Sequence, residues 1–234
     1  MRVLITRPQP DAARTAARLA ELGHEALVEP LLMVEPVAVE KIPPGPFAAL
    51  AATSANAMRV AGNTAALNAL RALPVHAVGT HTAGAAREAG FTNVIDAAGD
   101  TESLAQNLAR HLQSPARVLH LAGEKRAKEL GPLLALHGVE VVVLELYRMR
   151  RADRIRSSVE LFAAGKIDAV LHFSPRSAAT FVALAEQEGL AEAARRPRHL
   201  CLSQAVAAEI MPLGIAAEIA EAPNEAALLA LLNS

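Results

Sequence analysis

The chain repeats itself, and that repetition limits its possible folds more than any single motif. The segment Arg2-Val3-Leu4-Ile5, a helical stretch and Leu22-Gly23-His24-Glu25-Ala26-Leu27-Val28 returns as Arg117-Val118-Leu119-His120, a helical stretch and His137-Gly138-Val139-Glu140-Val141-Val142-Val143. Phe47-Ala48-Ala49-Leu50-Ala51-Ala52-Thr53-Ser54-Ala55-Asn56-Ala57 returns as Ile167-Asp168-Ala169-Val170-Leu171-His172-Phe173-Ser174-Pro175-Arg176-Ser177, and Gly99 to Leu104 returns as Ala222 to Leu228. Two copies of one five-strand unit follow. Short apolar runs alternate with Ala- and Leu-rich helical stretches throughout, a pattern that builds parallel sheets. With 52% hydrophobic residues but only 3% aromatics, the interior must be aliphatic, and 234 residues suffice for two modest α/β domains.

Taken in order, the pattern predicts ten strands: 3–5, 26–28, 48–52, 75–78, 94–95, 118–121, 139–144, 169–173, 200–202 and 217–219. The intervening helices are expected from about Asp11 to Leu22, from Ala55, from Thr82 to Ala89, from Glu102 to Leu112 and from Glu124 to Leu136. Three more follow, from Arg176 to Glu186, Gln204 to Met211 and Asn224 to Leu232. Glu35 to Pro46 holds four prolines and a glycine, which cannot sit in a central strand or a helix interior, and reads as an extended crossing. Tyr147 to Arg156, where a β-branched strand gives way to cationic residues, stands at the same place in the other copy. Cutting at these two discontinuities gives a lobe of residues 1–35 plus 152–234 and an inserted lobe of 46–146. Residues 36–45 and 147–151 are then the linkers, and Tyr147 is expected at the mouth of the cleft between the lobes.

A net charge of −1 and a pI near 6.7 argue against a general nucleic-acid or polybasic membrane surface. One cysteine, Cys201, allows neither a disulfide framework nor a cysteine metal site within one chain. The apolar run at the N-terminus is too short for a signal peptide and no other run spans a bilayer, so a cytoplasmic protein is expected.

In open α/β sheets, ligands collect where strands end and helices begin. Those ends are rich in hydroxyls and donors here: Arg7, Thr53, Ser54 with Asn56, Gly79-Thr80-His81-Thr82, Ser174 with Arg176 and Ser177, and Ser203-Gln204. Each of these either caps a helix or belongs to a donor array suited to a polyanion of carboxylates. Phosphate fits less well, since no Gly-x-x-x-x-Gly-Lys-Ser/Thr or Gly-x-Gly-x-x-Gly loop follows a strand. His76, His120, His172 and His199 are too scattered to nominate a metal, and no Gly-x-Ser-x-Gly elbow supports a nucleophilic triad. Gly123-Glu124-Lys125-Arg126 is either a ligand loop or a charged helix start. Tyr147, the only tyrosine, is either a packing residue or a ligand-facing phenol.

In this order, Val3-Leu4-Ile5-Thr6-Arg7-Pro8, Thr53-Ser54-Ala55-Asn56-Ala57, Val78-Gly79-Thr80-His81-Thr82-Ala83, the Gly99 turn, Gly123 with Arg126, Leu146-Tyr147 and Phe173-Ser174-Pro175-Arg176-Ser177 resemble the uroporphyrinogen-III synthase family. The resemblance implies two flavodoxin-like lobes, each a parallel five-stranded sheet, joined by a two-stranded β-ladder, with the active site in the cleft. It implies a lyase without cofactor or metal, a cytoplasmic monomer of haem, sirohaem and cobalamin biosynthesis. The substrate implied is hydroxymethylbilane, a linear tetrapyrrole with eight carboxylates, cyclised to uroporphyrinogen III with inversion of ring D and loss of water. By the same similarity Tyr147 matches the family tyrosine proposed to assist departure of the hydroxyl. The substrate-binding loops then carry Arg7, Thr53, Ser54, Asn56, Gly79, Thr80, Thr82, Gly123, Arg126, Ser174, Arg176, Ser177, Ser203 and Gln204. One departure is visible: where many relatives have a threonine after the Ser203 strand, this chain has Ala205 and Val206. The competing reading is a two-lobed binding or regulatory module that keeps the scaffold without catalysis.

Overall fold

The computed structural model describes residues 1–124 and 129–233. In chain order its elements begin with β1 (Arg2–Ile5), α1 (Asp11–Glu21), β2 (Glu25–Val28), β3 (Leu32–Pro36), β4 (Ala49–Ala52), α2 (Ala55–Gly62), β5 (Val75–Ala77) and α3 (Thr80–Glu88). They continue with β6 (Val94–Asp96), α4 (Thr101–His111), β7 (Ala116–Gly123), α5 (Leu130–Ala135), β8 (Val139–Arg151), α6 (Val159–Ala163) and β9 (Ala169–His172). The last are α7 (Pro175–Gln187), α8 (Ala191–Ala194), β10 (Arg198–Cys201), α9 (Gln204–Ala208), β11 (Ala217–Ile219) and α10 (Glu225–Ala230). The chain divides into two compact units, Met1–Met33 with Arg150–Ser234, and Val34–Met149.

Unit 1 is built on a five-stranded sheet in the order β11-β10-β9-β1-β2, every pair parallel. Its strands are apolar on both faces because both are covered. Leu4 and Val170 enter one core with Phe162, Phe181 and Ile210, whereas Val3, Ile5 and Leu171 enter another with Leu19, Leu228 and Leu232. A buried carboxylate fastens the chain that returns from β8. Glu29 accepts the backbone N–H groups of Arg156, Ser157 and Ser158 at 3.2, 2.6 and 3.0 Å.

Unit 2 holds the sheet β3-β8-β7-β4-β5-β6, and the pairs from β8 to β6 are parallel. Leu50, Ala52, Leu119 and Leu121 face one core with Met58 and Leu67, while Ala49, Ala51 and Val118 face the other with Leu104, Leu108 and Leu134. The internal repeat is visible in the backbone. Gly23 after α1 and Gly138 after α5 both take the left-handed conformation, at φ 78° and 67°, each ending a helix just before the second strand of its copy.

Several expectations need correction. Eleven strands, not ten, are present among the described residues, because Leu32–Pro36 forms β3 at a sheet edge beside β8. Pro36 is tolerated there, since an edge strand needs only one row of hydrogen bonds. β8 does not end at Leu144 but runs to Arg151, because Arg148, Arg150 and Arg151 point their charges outward while Met149 remains half-buried. The helix expected from Glu124 is the shorter α5: Glu124 and Glu129 lie outside it, and residues 125–128, Arg126 among them, fall outside the described residues. The short helices α6 and α8 add to the eight expected from the pattern.

Candidate active site

In unit 2 the expected residues converge where β4 and β7 end and β8 runs on beside them. Ser54 is the N-cap of α2: its backbone is extended and its Oγ accepts the Asn56 N–H at 3.2 Å. The same Oγ lies 2.9 Å from the hydroxyl of Tyr147 on β8. Between these strands sits β7, whose last residue is Gly123, and the phenol crosses it: a Cβ built on Gly123 would meet Tyr147 Cζ at 2.7 Å and its hydroxyl at 2.9 Å. Glycine is required here for space, not for backbone angle. Tyr147 is 8% exposed and belongs to the core with Ala52, Ala57 and Met58. The packing reading and the polar contact therefore hold together for this residue.

Thr53, next to Ser54, meets the buried His120 of β7 through a 3.1 Å contact to Nε2. Asn56 accepts from Arg59 at 2.9 Å, and Arg59 in turn lies 3.4 Å from His81 Nε2. Gly79 is the N-cap of α3 in an extended conformation, Thr80 is exposed on the first turn and Thr82 is buried.

In unit 1 the strand ends form a tighter polar knot. Thr6 and Ser177 are buried with their hydroxyl oxygens 3.1 Å apart; Thr6 donates to the Leu171 carbonyl and Ser177 to the Thr6 carbonyl. Ser174 is the N-cap of α7 and accepts the Ser177 N–H at 3.2 Å, with Pro175 opening the helix. Arg7 lies over Phe173, its guanidinium carbon 4.1 Å from the ring centroid, and its guanidinium faces Asp11 at 3.6 Å and Glu225 at 3.5 Å. Arg176 is exposed, as is Gln204, while Ser203 is the N-cap of α9 without a side-chain cap bond.

The structure thus brings Thr53, Ser54, Gly123 and Tyr147 together in one unit, and Thr6, Ser174 and Ser177 in the other. Sequence reasoning missed Phe173, Asp11 and Glu225 around Arg7 and set His120 aside; a cation just past a strand end and one helical turn before an aspartate is too common a pattern to mark a site. Among the described residues no group of His, Cys, Asp and Glu is arranged to hold a metal. Cys201 is buried in β10 and its thiol is pushed up to about 12 by that burial, far from nucleophilic use.

A polar cluster at strand ends in a parallel α/β unit marks a protein that binds small molecules at the mouths of its sheets. The family model for uroporphyrinogen-III synthase HemD matches residues 13–230, and the chain belongs to that family. It is therefore an enzyme of tetrapyrrole biosynthesis, a cyclising hydro-lyase. Its fold is similar to that of the uroporphyrinogen-III synthetase of Helicobacter pylori, with 19% identity and a TM-score of 0.67 over 100% of this chain and 99% of that one. A mutant uroporphyrinogen III synthase of the extremely thermophilic bacterium Thermus thermophilus is also similar, with 19% identity and a TM-score of 0.55 over 100% of this chain and 97% of that one. No individually curated protein sequence matches the chain. No helix among the described residues is long and apolar enough to cross a membrane.

Proposed function

We propose that the two units are flavodoxin-like lobes, joined where β3 lies beside β8, and that each offers carboxylate-binding donors at its strand ends. The strand order supports this reading. Unit 1 places its second strand outside its first and the third to fifth on the other side, and β8-β7-β4-β5-β6 repeats that order in unit 2.

The substrate is hydroxymethylbilane, and Tyr147 assists departure of its hydroxyl as water. Loss of that group leaves an azafulvene cation. The substituted carbon of ring D then attacks, and a spiro intermediate fragments and re-closes the macrocycle with ring D inverted. Because the leaving group is already activated by an electron-rich pyrrole, the protein's main task is to hold a flexible polyanion in the conformation that favours the crowded carbon. The hydroxyl and backbone donors at Thr53, Asn56, Gly79, Thr80, Ser174 and Ser203 serve that purpose, each contributing modestly. The remaining expected ligands are Arg7, Ser54, Thr82, Gly123, Arg176, Ser177 and Gln204, with Arg126 outside the described residues, and among them Thr82 and Ser177 act as buried supports of the loops. The chain works as a cytoplasmic monomer and needs no nucleic acid, metal or cofactor.

The observation that carries the proposal is the phenol of the single tyrosine, held beside the ends of β4 and β7 in a chain that belongs to this family. The experiment is incubation with freshly prepared hydroxymethylbilane followed by separation of product isomers. Type III product is expected. A product mixture equal to that formed without protein would overturn the reading.

A further inference from the structure

Along β8 the side chains alternate regularly until they reach Gly123. Val139 and Val141 pack with Leu104, Leu130 and Leu134 on one face of the sheet, whereas Val142, Leu144 and Leu146 pack on the other with Ala57 and Met58. Strict alternation would send Tyr147 to the first face. The register breaks instead: Ala122 is opposite Glu145, yet Gly123 is opposite Tyr147, so one extra residue is accommodated by a β-bulge. Leu146 and Tyr147 both enter the second core, and Met149 follows. The bulge re-aims the phenol across β7, and the Glu124 N–H donates to the Tyr147 carbonyl at 3.0 Å to close the displaced pairing.

We infer that Ser54 and Gly123 are positioning residues for Tyr147: Gly123 leaves the space the ring crosses, and Ser54 holds the phenol oxygen as a hydrogen-bond donor, leaving the phenolic proton for the substrate. The inference rests on the reading of Tyr147 as the residue that meets the departing hydroxyl. It moves Ser54 and Gly123 from contacting the tetrapyrrole to orienting the group that does. The donor direction follows from the cap. Ser54 Oγ already accepts the Asn56 N–H at the positive end of α2, which polarises its O–H, and a phenol oxygen 2.9 Å away is a suitable acceptor.

The chain offers an unobstructed probe, because it has one tyrosine and no tryptophan. Carbon-13 tyrosine then gives one ring carbon bearing the hydroxyl, whose resonance senses hydrogen bonding at that oxygen, with or without substrate. In Ser54→Ala this resonance should move and kcat should fall roughly tenfold at little-changed KM, the loss of one ordinary hydrogen bond. Ser54→Thr, which keeps the hydroxyl and the cap, should restore both. Ser54→Asp keeps the cap but can only accept, so it should draw the phenolic proton to itself and lower kcat in a folded protein even if Ser54→Ala unfolds. An unmoved resonance in Ser54→Ala, failure of threonine to restore kcat, a loss confined to KM, or wild-type turnover in Ser54→Asp would overturn the inference. Wild-type turnover in Tyr147→Phe overturns the underlying reading instead, while the ring resonance reports the Ser54 contact independently of turnover.

Discussion

Acidification should destabilise unit 1 through the pair His172 and His199. The two rings stack 5.2 Å apart, tilted by only 11°, and both are buried. His199 Nε2 lies 2.7 Å from the Ala194 carbonyl, which can only accept, so that nitrogen carries the proton and Nδ1 is a lone pair. His172 must therefore donate from Nε2 across the 3.0 Å contact to His199 Nδ1, and its own Nδ1 has no hydrogen-bond partner. A further proton has no acceptor to meet: on His199 Nδ1 it faces an N–H, and on His172 Nδ1 it is buried alone. Phe181 packs 5.3 Å from the first ring and 5.6 Å from the second, and the Cys201 thiol shares their core, so no carboxylate among the described residues offsets a positive charge. Burial pushes His199 down to about 4, and burial with the neighbouring ring pushes His172 well below the ordinary histidine range. Since both folded values lie below the unfolded one, the unfolded chain takes protons first. Stability is complete above about pH 6.5 and is lost as the pH falls toward 4. For His199 alone the loss is about 2 kcal/mol at pH 5 and about 3 kcal/mol at pH 4, with His172 adding in the same direction. Urea titrations followed by circular dichroism between about pH 7 and 5 measure it, above most of the range in which carboxylates such as Glu218, held down by Arg198, come into play. His76 in unit 2 is lowered by its own burial, partly offset by its bond to Asn107, and gives a smaller slope of the same sign. A double His172→Phe, His199→Phe variant should flatten the profile. An unchanged slope in that variant would refute the reasoning.

Tyr147→Phe keeps the ring and should remain folded, with single-turnover formation of uroporphyrinogen slowed about 10²-fold and the residual product still type III; wild-type turnover would return Tyr147 to a packing role. Gly62→Ala places a Cβ 2.9 Å from Ala89 Cβ, where α2 meets α3, and should cost about 1–3 kcal/mol, read as a lower melting temperature. The Cys201 thiol, pushed up to about 12 and buried, should resist thiol reagents at neutral pH until urea is added. Fast labelling of the native protein would contradict that burial.

The repeated strands and helices were legible because a parallel sheet covered on both faces demands continuous apolar runs, as at Val3 to Ile5 and Val118 to Leu121. Serines before helices were legible as caps, and Ser54 and Ser174 are caps. The same letters hid what else they touch. Ser54 meets Tyr147, 93 residues away, only because a bulge at Ala122/Gly123 reverses the parity of β8, and nothing in Leu144-Glu145-Leu146-Tyr147 marks an extra residue. Charge misled at Arg148 to Arg151, since an edge-side strand can carry arginines outward without losing its ladder. The prolines excluded a central strand but not an edge one, and Pro36 closes β3 at the edge of its sheet. Around Arg7 the partners Phe173 and Glu225 come from the far end of the chain, beyond any local pattern.

Because unit 2 is an uninterrupted run and unit 1 is not, the ribosome releases them in reverse order of their beginnings. β1 and β2 emerge first, but the parallel neighbour of β1 in the middle of the sheet is β9, whose Ala169 pairs with Val3. At roughly 5–20 residues per second, the first two strands wait about ten to thirty seconds for that partner. Val34–Met149 can meanwhile complete its own sheet while still tethered. Through that interval Val3 and Ile5 have only Glu25–Val28 and the α1 side chains Ala12 and Leu19 to lean on, while the opposite face, where Leu4 will meet Val170, Phe162 and Phe181, stays uncovered. Nascent unit 1 is thus the part of this chain that needs shelter during synthesis, and a slow stretch of translation after Arg150 would lengthen that exposure without touching the inserted unit.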